Sequence, residues 1–373
     1  MLIFSTKNSI VHYLLSQGLL TQREIVDGNV IVAESTSRNR NFLVMRGDKP
    51  GYFVKHIQPS QPASVQTLQR EAACYQLIQK DPKFESLIPL VPRMQAYDRF
   101  RHVLVLELLP EGENLSAYYR RENKYPEDLS ASLGIALGAY HIGIQKSSNG
   151  HSWDPSQYNG TFPRMVPWIL QYHQMQPEAV RTMSAANMQL HAVLNRYPEF
   201  PKQLDALHQK WRMDTLIHGD MKFENCVVYY PSGRGREKQL KVVDWEIADV
   251  GDGCWDVGAI FQAYLNCWIM SMPMTGGIDP DQMESQAKTP IKDLQPAIRA
   301  FWTAYAQTME LEPLEARLRL ERCTSHAAAR MLQTIFEWMN MQQQLSLQAV
   351  FQLQVSLNIL QKPMDAVSVL LGL

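Results

Sequence analysis

The chain has 373 residues, more than one hydrophobic core usually serves, so its length predicts two lobes or domains. A hydrophobic content of 45% and a charged content of 20% are typical of a globular protein rather than a disordered or fibrous one. The 36 Lys and Arg residues nearly balance the 37 Asp and Glu residues, which leaves a formal net charge of -1. This balance gives no electrostatic reason to expect binding to nucleic acid or to a membrane surface.

The cysteines and the apolar stretches indicate a reducing compartment. The five cysteines are odd in number and form no Cys-x-x-Cys pair, which favours free thiols over a disulfide or zinc framework. The N-terminal MLIFSTKNSIVHYLL lacks the basic region and the cleavage site of a signal peptide. The least polar stretch, AIFQAYLNCWIMSMPM, is too short to span a membrane. We therefore expect a cytoplasmic protein without a membrane partner.

The first predicted elements are three short runs of apolar, β-branched and aromatic residues, at 29–35, 41–47 and 52–58. Polar turns separate these runs, and the spacing predicts an antiparallel meander of three strands. Pro59 and Pro62 end the third strand, because proline cannot donate to a strand ladder.

A helix and a fourth strand follow. Apolar residues recur at helical spacing from Val65 to Ile78. The run HVLVLELL at 102–109 then predicts a strand, which the polar PEGEN segment closes. Residues 1–109 are therefore predicted to be a small lobe with an antiparallel sheet and one helix.

The remainder, residues 110–373, is predicted to be a larger and mainly helical lobe. The run SASLGIALGAYHIGIQ at 130–145 has the small and apolar residues of a buried helix. Residues 149–160 are rich in turn formers, residues 163–212 carry helical patterns interrupted by prolines, and the chain after Gly253 is helical throughout. Two short strand signals, around LIHGD–ENCVVYY and QLKVVDWE, flank the hairpin turn PSGRGRE.

The segment HGDMKFEN, residues 218–225, carries the chemistry. Phosphoryl transfer needs a carboxylate that orients the attacking hydroxyl and oxygen ligands that hold Mg²⁺ against the phosphates. Asp220 supplies a carboxylate, and Asn225 lies close enough in sequence for one loop to turn both side chains into a single cavity. Asp244 ends a β-branched strand that a hairpin would bring to the same place. Lys222 is positioned to reach a transferred phosphate.

This order of residues resembles the aminoglycoside phosphotransferase and choline kinase superfamily, whose members are related to protein kinases. The resemblance implies an α+β, bilobal, protein-kinase-like fold and the use of ATP and Mg²⁺. It implies that Asp220 is the catalytic base and that Asn225 and Asp244 are the Mg²⁺ ligands. Asp256 resembles the buried aspartate that supports the catalytic loop in this superfamily, and His218 is expected to hold the loop through backbone hydrogen bonds.

Upstream residues match the nucleotide-binding part of the same superfamily. Lys55 matches the strand lysine that holds the α- and β-phosphates, and Glu71 matches its ion-pair partner on the following helix. Glu107 and Leu109 match the segment that offers backbone groups to adenine. The loop at 35–41 stands where many kinases have a glycine-rich loop, but it contains no glycine; Ser37 is its candidate phosphate contact.

The leading function is transfer of the γ-phosphate to a hydroxyl of a small molecule, such as an aminoglycoside, a choline-like compound, a sugar or an amino alcohol. Lys222 stands where Ser/Thr protein kinases have a lysine, which makes a peptide hydroxyl an alternative acceptor. The segments NCVV and VDWEIADVGDGCWDVG resemble phosphotransferases of bacterial peptide natural-product pathways, and this resemblance implies a Ser/Thr kinase for a precursor peptide in a lanthipeptide-like pathway. A third alternative is a pseudokinase that binds nucleotide as a regulator.

Overall fold

The computed structural model describes residues 6–36, 40–58, 60–145, 160–231, 237–273 and 284–373. The predicted phosphate contact Ser37 and nearly all of the predicted loop at 149–160 lie outside these ranges. None of the helices in the described part of the chain is both long enough and apolar enough to cross a membrane.

The helices and strands fall into three groups along the chain. The first group is α1 (Lys7–Ser16), α2 (Gln22–Val26), β1 (Ile31–Thr36), β2 (Arg40–Arg46), β3 (Lys49–His56), α3 (Pro62–Lys80), β4 (Met94–Asp98), β5 (Val103–Glu107) and β6 (Glu113–Asn114). The middle group is α4 (Leu115–Glu122), α5 (Glu127–Gln145), α6 (Pro177–Arg181), α7 (Ala185–Arg196), α8 (Glu199–Gln209), β7 (Thr215–Ile217), β8 (Cys226–Tyr229), β9 (Gln239–Val242) and β10 (Asp249–Gly251). The last group is α9 (Gly253–Met270), α10 (Ile291–Thr308), α11 (Pro313–Met339), α12 (Leu347–Gln361) and α13 (Pro363–Ala366).

The chain forms two compact units, and each unit takes residues from separate parts of the sequence. The first contains Met1–Tyr118, Tyr158–Thr161 and Glu224–Ala248, and the second contains Tyr119–Gln157, Phe162–Phe223 and Asp249–Leu373. These units divide the chain differently from a single cut after residue 109, because the hairpin β8–β9 belongs to the first unit. The two lobes expected at 1–109 and 110–373 stay a prediction.

A five-stranded antiparallel sheet with the order β1-β2-β3-β5-β4 dominates the first unit. Its strands alternate as a half-buried sheet requires: Phe42 and Val44 on β2 and Val54 on β3 have 1% exposure or less. The buried face packs against Tyr13 and Leu14 of α1. The predicted meander and fourth strand are therefore present, while α1, α2 and β4 were not predicted.

The first unit also contains a three-stranded sheet with the order β6-β8-β9. Cys226 pairs with Val242 in the antiparallel β8–β9 hairpin, as the two strand signals predicted. The Val243 N–H donates to the carbonyl oxygen of Asn225 at 2.9 Å and extends the hairpin to the residue before Asp244. The hairpin thus places Asn225 and Asp244 at one end of the same ladder.

The second unit is mainly helical, with a short β7–β10 pair. Glycines allow its central helices to approach closely: a Cβ at Gly134 of α5 would lie 2.3 Å from the Phe301 carbonyl oxygen of α10. A Cβ at Gly258 of α9 would lie 2.7 Å from the Cys323 carbonyl oxygen of α11. Such contacts exclude any larger side chain without backbone movement. The contact at Gly134 explains why the predicted helix at 130–145 needs a small residue at this position.

Candidate active site

Lys55 on β3 is the centre of a buried ion cluster in the first unit. Its Nζ atom donates to Glu71 Oε1 and Oε2 of α3 at 2.8 Å each and to Asp244 Oδ1 at 2.6 Å. Lys55 is 8% exposed and Glu71 is 1% exposed, whereas the Asp244 side chain keeps 36% exposure. One ammonium therefore faces two carboxylates, and the more accessible of them is Asp244.

The ionisation of this cluster follows from its burial and its charges. Burial lowers the pKa of the Lys55 ammonium, but the attraction of Glu71 and Asp244 outweighs burial and holds that pKa above its usual value. Burial raises the pKa of Glu71 to about 7, while Lys55 acts to lower it and Asp244 to raise it. Lys55 is therefore charged at neutral pH.

Asp244 has an unusual backbone conformation. Its φ is 67° and its ψ is 55°, in the left-handed region, where aspartate is tolerated better than β-branched residues. The buried Trp245 that follows donates its indole N–H to the Val242 carbonyl oxygen at 3.3 Å. This tight turn directs the Asp244 carboxylate toward Lys55.

A cavity of about 340 Å³ in the first unit brings six of the predicted site residues together. They are Lys55, Glu71, Glu107, Leu109, Asn225 and Asp244. Apolar side chains, including Leu43 and Val227, line the rest of the cavity. A concave site with an apolar lining and a few convergent polar groups is typical of ligand binding.

In the segment that was predicted to contact adenine, some of the backbone groups already form hydrogen bonds within the protein. The Glu107 N–H donates to the Arg93 carbonyl oxygen at 2.8 Å, and the Glu107 carboxylate forms an ion pair with Lys241. The Leu109 carbonyl oxygen accepts from the Gly112 N–H at 3.2 Å. The prediction for Glu107 therefore depends on its carbonyl oxygen and not on its N–H.

The catalytic loop that was predicted at 218–225 begins in the second unit, where it contacts the first turn of α9. The Asp256 carboxylate accepts the His218 N–H at 2.6 Å and the Gly219 N–H at 3.1 Å, and it also accepts from the Tyr140 hydroxyl at 2.7 Å. The Trp255 indole N–H donates to the Gly219 carbonyl oxygen at 3.1 Å. These contacts are consistent with the supporting role predicted for Asp256, which stays a prediction.

The charge on Asp256 is stabilised in spite of complete burial. Burial raises the pKa of this carboxyl, but hydrogen bonding and the charge of His141, together with His218 and the Tyr140 hydroxyl, hold the pKa below its usual range. Carboxylates that accept several N–H and O–H donors stay ionised in this way. Asp256 thus fixes the loop backbone just before Asp220.

Asp220 and Lys222 form an ion pair in the same unit. Their side chains are 25% and 41% exposed, so both are partly accessible to solvent. Burial lowers the pKa of Lys222, but the nearby Asp220 carboxylate outweighs burial and raises the pKa above its usual value. Lys222 is therefore a cation beside the predicted base.

Sequence reasoning missed Arg330 of α11. Its Nη2 atom lies 3.5 Å from Asp220 Oδ1, although the two residues are 110 positions apart. Arg330 is 4% exposed, and its guanidinium carbon lies 5.1 Å from the centre of the Trp255 ring. The available signal was an arginine between the small and apolar runs at 327–329 and 331–332 of α11, because arginine is almost never fully buried unless it is paired.

Comparisons with known proteins agree with this arrangement. Residues 30–288 match the model of APH, the phosphotransferase enzyme family, which is more than half of the chain. None of the curated proteins is similar enough in sequence to count as a relative.

Solved structures similar to the chain include several kinases. The chain is similar to a choline kinase from Cryptosporidium parvum Iowa II, with 13% identity, 98% of this chain and 99% of that chain covered, and a TM-score of 0.59. It is also similar to APH(2'')-IIa in a ternary complex with streptomycin and ATP, with 12% identity, coverage of 95% and 97%, and a TM-score of 0.47. A putative fructosamine-3-kinase from Thermobifida fusca is similar to the chain with 17% identity, with 90% of this chain and 94% of that chain covered, and with a TM-score of 0.46.

The likeness to choline kinase confirms the predicted α+β, protein-kinase-like fold. The family match includes the Lys55–Glu71 pair, the loop that carries Asp220, and Asp244. The chain therefore belongs to the phosphotransferase enzyme family and is a kinase that transfers phosphate to a hydroxyl group.

Proposed function

We propose that this kinase uses ATP and Mg²⁺ and transfers the γ-phosphate to a hydroxyl of a small molecule. The observation that carries the proposal is the cavity lined jointly by Lys55, Glu71, Asn225 and Asp244. A lysine for the phosphates and two oxygen ligands for the metal are the parts that phosphoryl transfer from ATP requires.

In this proposal the first unit binds the nucleotide. Lys55, oriented by Glu71, contacts the α- and β-phosphates, which is consistent with its charge at neutral pH. The adenine ring lies against the apolar lining near Leu43, with the Glu107 carbonyl oxygen and the backbone of Leu109 as hydrogen-bonding partners. The retained Lys55–Glu71 pair supports an active kinase over the pseudokinase alternative.

The residues present fit a magnesium ion. The Asp244 carboxylate and the Asn225 side-chain amide line the same cavity, and they offer the hard oxygen ligands that Mg²⁺ prefers. In the described part of the chain, no group of three or more His, Cys, Asp or Glu residues is placed to hold a metal ion. Two protein ligands suffice in this class of site, because phosphate oxygens and water complete the octahedral shell. When bound, the ion would neutralise charge on the β- and γ-phosphates.

The second unit supplies the groups for the acceptor. Asp220 orients the acceptor hydroxyl and takes its proton as the oxygen attacks the γ-phosphorus atom. The bond from the γ-phosphorus to the β–γ bridging oxygen breaks, ADP leaves, and Lys222 contacts the transferred phosphate. Catalysis then consists mainly of positioning and electrostatic stabilisation.

The proposal is tested by incubating the protein with [γ-³²P]ATP and Mg²⁺ and with separate pools of acceptors. The pools contain aminoglycosides, choline and other amino alcohols, sugars, and Ser- and Thr-containing peptides. We expect Mg²⁺-dependent labelling in a small-molecule pool. Labelling of peptides alone would establish the peptide kinase alternative. No labelling in any pool, together with no thermal shift with ATP or GTP, would overturn the assignment as a nucleotide-dependent kinase.

A further inference from the structure

Asp220 lies between two cations that differ in how firmly they are held. Lys222 contacts the Oδ2 atom from a side chain that is 41% exposed. Arg330 approaches the Oδ1 atom at 3.5 Å from a side chain that is 5% exposed. The two oxygens of the carboxylate therefore face one accessible cation and one buried cation.

Arg330 is fixed by contacts on two sides. Its guanidinium lies over the Trp255 ring at 5.1 Å, and its Nη1 donates to Gln333 Oε1 at 3.0 Å. The indole N–H of the same Trp255 holds the Gly219 carbonyl oxygen, one residue before Asp220. Trp255 therefore orders both the arginine and the loop that carries the carboxylate.

The 3.5 Å separation is longer than that of a strong hydrogen bond, so Arg330 acts on Asp220 mainly through its charge. Attraction between charges decreases slowly with distance and is weakened less by solvent at a buried site. A guanidinium cannot lose its proton in a protein, so Arg330 cannot take part in the proton transfer itself. Its charge is available to restrain the direction of the carboxylate.

We propose that Arg330 is a positioning residue that holds Oδ1 of Asp220, so that Oδ2 faces the acceptor hydroxyl once Lys222 turns to the phosphate. This inference rests on the proposed role of Asp220 as the base. The two neighbouring cations then have different roles. The accessible Lys222 leaves Asp220 for the phosphate during the reaction, whereas the buried Arg330 stays beside Asp220. Arg330 itself exchanges no proton and contacts no phosphate.

Two other roles for Arg330 predict different kinetics. If it only packed α11, its replacement would lower stability and leave the turnover of the folded enzyme unchanged. If it bound the acceptor, its replacement would raise KM for the acceptor and leave kcat close to wild type. A positioning role lowers kcat and leaves the KM for ATP near its wild-type value, but only while the Asp220 carboxylate is present.

The experiment is a double-mutant cycle on the full-length protein. Arg330→Met and Arg330→Lys are measured alone and together with Asp220→Asn, and Arg317→Met is the control because Arg317 is exposed on the same helix. Turnover of ATP is measured in the presence of Mg²⁺. The acceptor is the pooled compound, or water, that gives the highest rate with the wild-type protein. Unfolding temperatures are recorded for every variant. Arg330→Gln replaces Arg330→Met if the latter does not fold.

We expect Arg330→Met to lower kcat by about 10- to 100-fold, with the KM for ATP within about 3-fold of wild type. Arg330→Lys should give an intermediate kcat, because lysine keeps the positive charge but lacks the planar, rigid guanidinium group. In the Asp220→Asn background, Arg330→Met should change kcat by less than about 2-fold, because the group through which it acts is gone. Arg317→Met should match wild type.

Several results would overturn the positioning role alone: an unchanged kcat in Arg330→Met, a change confined to the KM for the acceptor, or equal losses with and without the Asp220 carboxylate. A different result would overturn the proposed function as well. If Asp220→Asn itself kept the wild-type rate, Asp220 would not be the base, and the role of Arg330 would be rejected with it.

Discussion

Lys55 and Glu71 form a buried bidentate pair: the ammonium lies 2.8 Å from both oxygens of a carboxylate 16 residues further along the chain. Glu71 is 1% exposed, so its charge is stabilised by Lys55 and hardly at all by water. Removing one partner of such a pair and replacing both partners change the free energy of unfolding by different amounts. Loss of Lys55 leaves a buried carboxyl that must either take up a proton or stay charged without a partner, whereas replacement of both partners removes the desolvation cost as well.

This asymmetry predicts the stability of single and double variants. Lys55→Met should lower the free energy of unfolding by about 3 kcal/mol, and Lys55→Met combined with Glu71→Leu should recover most of that loss. Both proteins should be inactive, because Lys55 is proposed to contact the phosphates. Urea unfolding at pH 7 measures the stabilities. A double variant that is less stable than Lys55→Met would contradict this account of the pair.

Asp220→Asn tests the proposed base. The substitution keeps the size of the side chain and removes its ability to accept a proton, so kcat should fall by about 10²- to 10⁴-fold while ATP binding stays near normal. Steady-state turnover and a thermal shift with ATP measure the two effects. Asp293→Asn, at an exposed position on α10, is the matched control and should match wild type in both measurements. A wild-type rate for Asp220→Asn would refute the assignment.

Asp244→Asn tests the proposed metal ligand. The wild-type protein should show a larger thermal shift with ATP when Mg²⁺ is present than when it is absent, because the ion adds binding energy to the folded state. Asp244→Asn should lose the Mg²⁺-dependent part, with metal affinity lower by at least about 10-fold.

Glu246→Gln provides the control for Asp244→Asn. Glu246 lies two residues further along, accepts from the Thr67 hydroxyl at 3.4 Å, and does not line the cavity, so this variant should respond to Mg²⁺ as wild type does. The same loss of the Mg²⁺ effect in both variants would show that the turn, and not the Asp244 carboxylate, is responsible.

His56, next to Lys55 on β3, makes stability depend on pH. Burial, with smaller effects from Arg40 and His102, lowers the pKa of His56 from 6.5 to about 4. The unfolded chain therefore takes up a proton near pH 6.5 that the folded protein does not, so stability should fall as the pH falls through 6.5.

The measurement for His56 is urea unfolding at pH 7 and pH 5. Between these values wild type should lose about 1 kcal/mol more stability than His56→Gln, which stays neutral, after allowance for solvent screening. The other histidines are common to both proteins and cancel in the difference. Equal losses in the two proteins would mean that His56 does not titrate differently in the folded and unfolded states.

Part of the fold was predictable from local pattern. The runs at 29–35, 41–47 and 52–58 correspond to β1, β2 and β3, because each carries the alternation and the β-branched residues of a half-buried strand. The helices α1 and α2 were missed, although one signal for α2 was present. Thr21 and Glu24 form a capping box, in which each side chain bonds the backbone N–H of the other.

Other elements carry too little local information to be predicted. β6 has two residues and β10 has three, and each exists because a neighbouring strand offers hydrogen bonds. β4, MQAYD, is mostly half-buried and has no clear alternation. Its pairing with β5 decides its conformation.

The order and the types of the chemical groups were present in the sequence itself. The spacing of Asp220, Lys222 and Asn225, with Asp244 at a strand end, predicted a kinase, because phosphoryl transfer needs few groups and the loop and hairpin place them by local geometry. The Lys55–Glu71 pair was expected only from the resemblance to kinases, and the residues by themselves could not show that Asp244 also meets Lys55 or that Arg330 meets Asp220. The last two pairs are 189 and 110 residues apart, and only the packing of helices and strands brings such distant charges within a few ångströms.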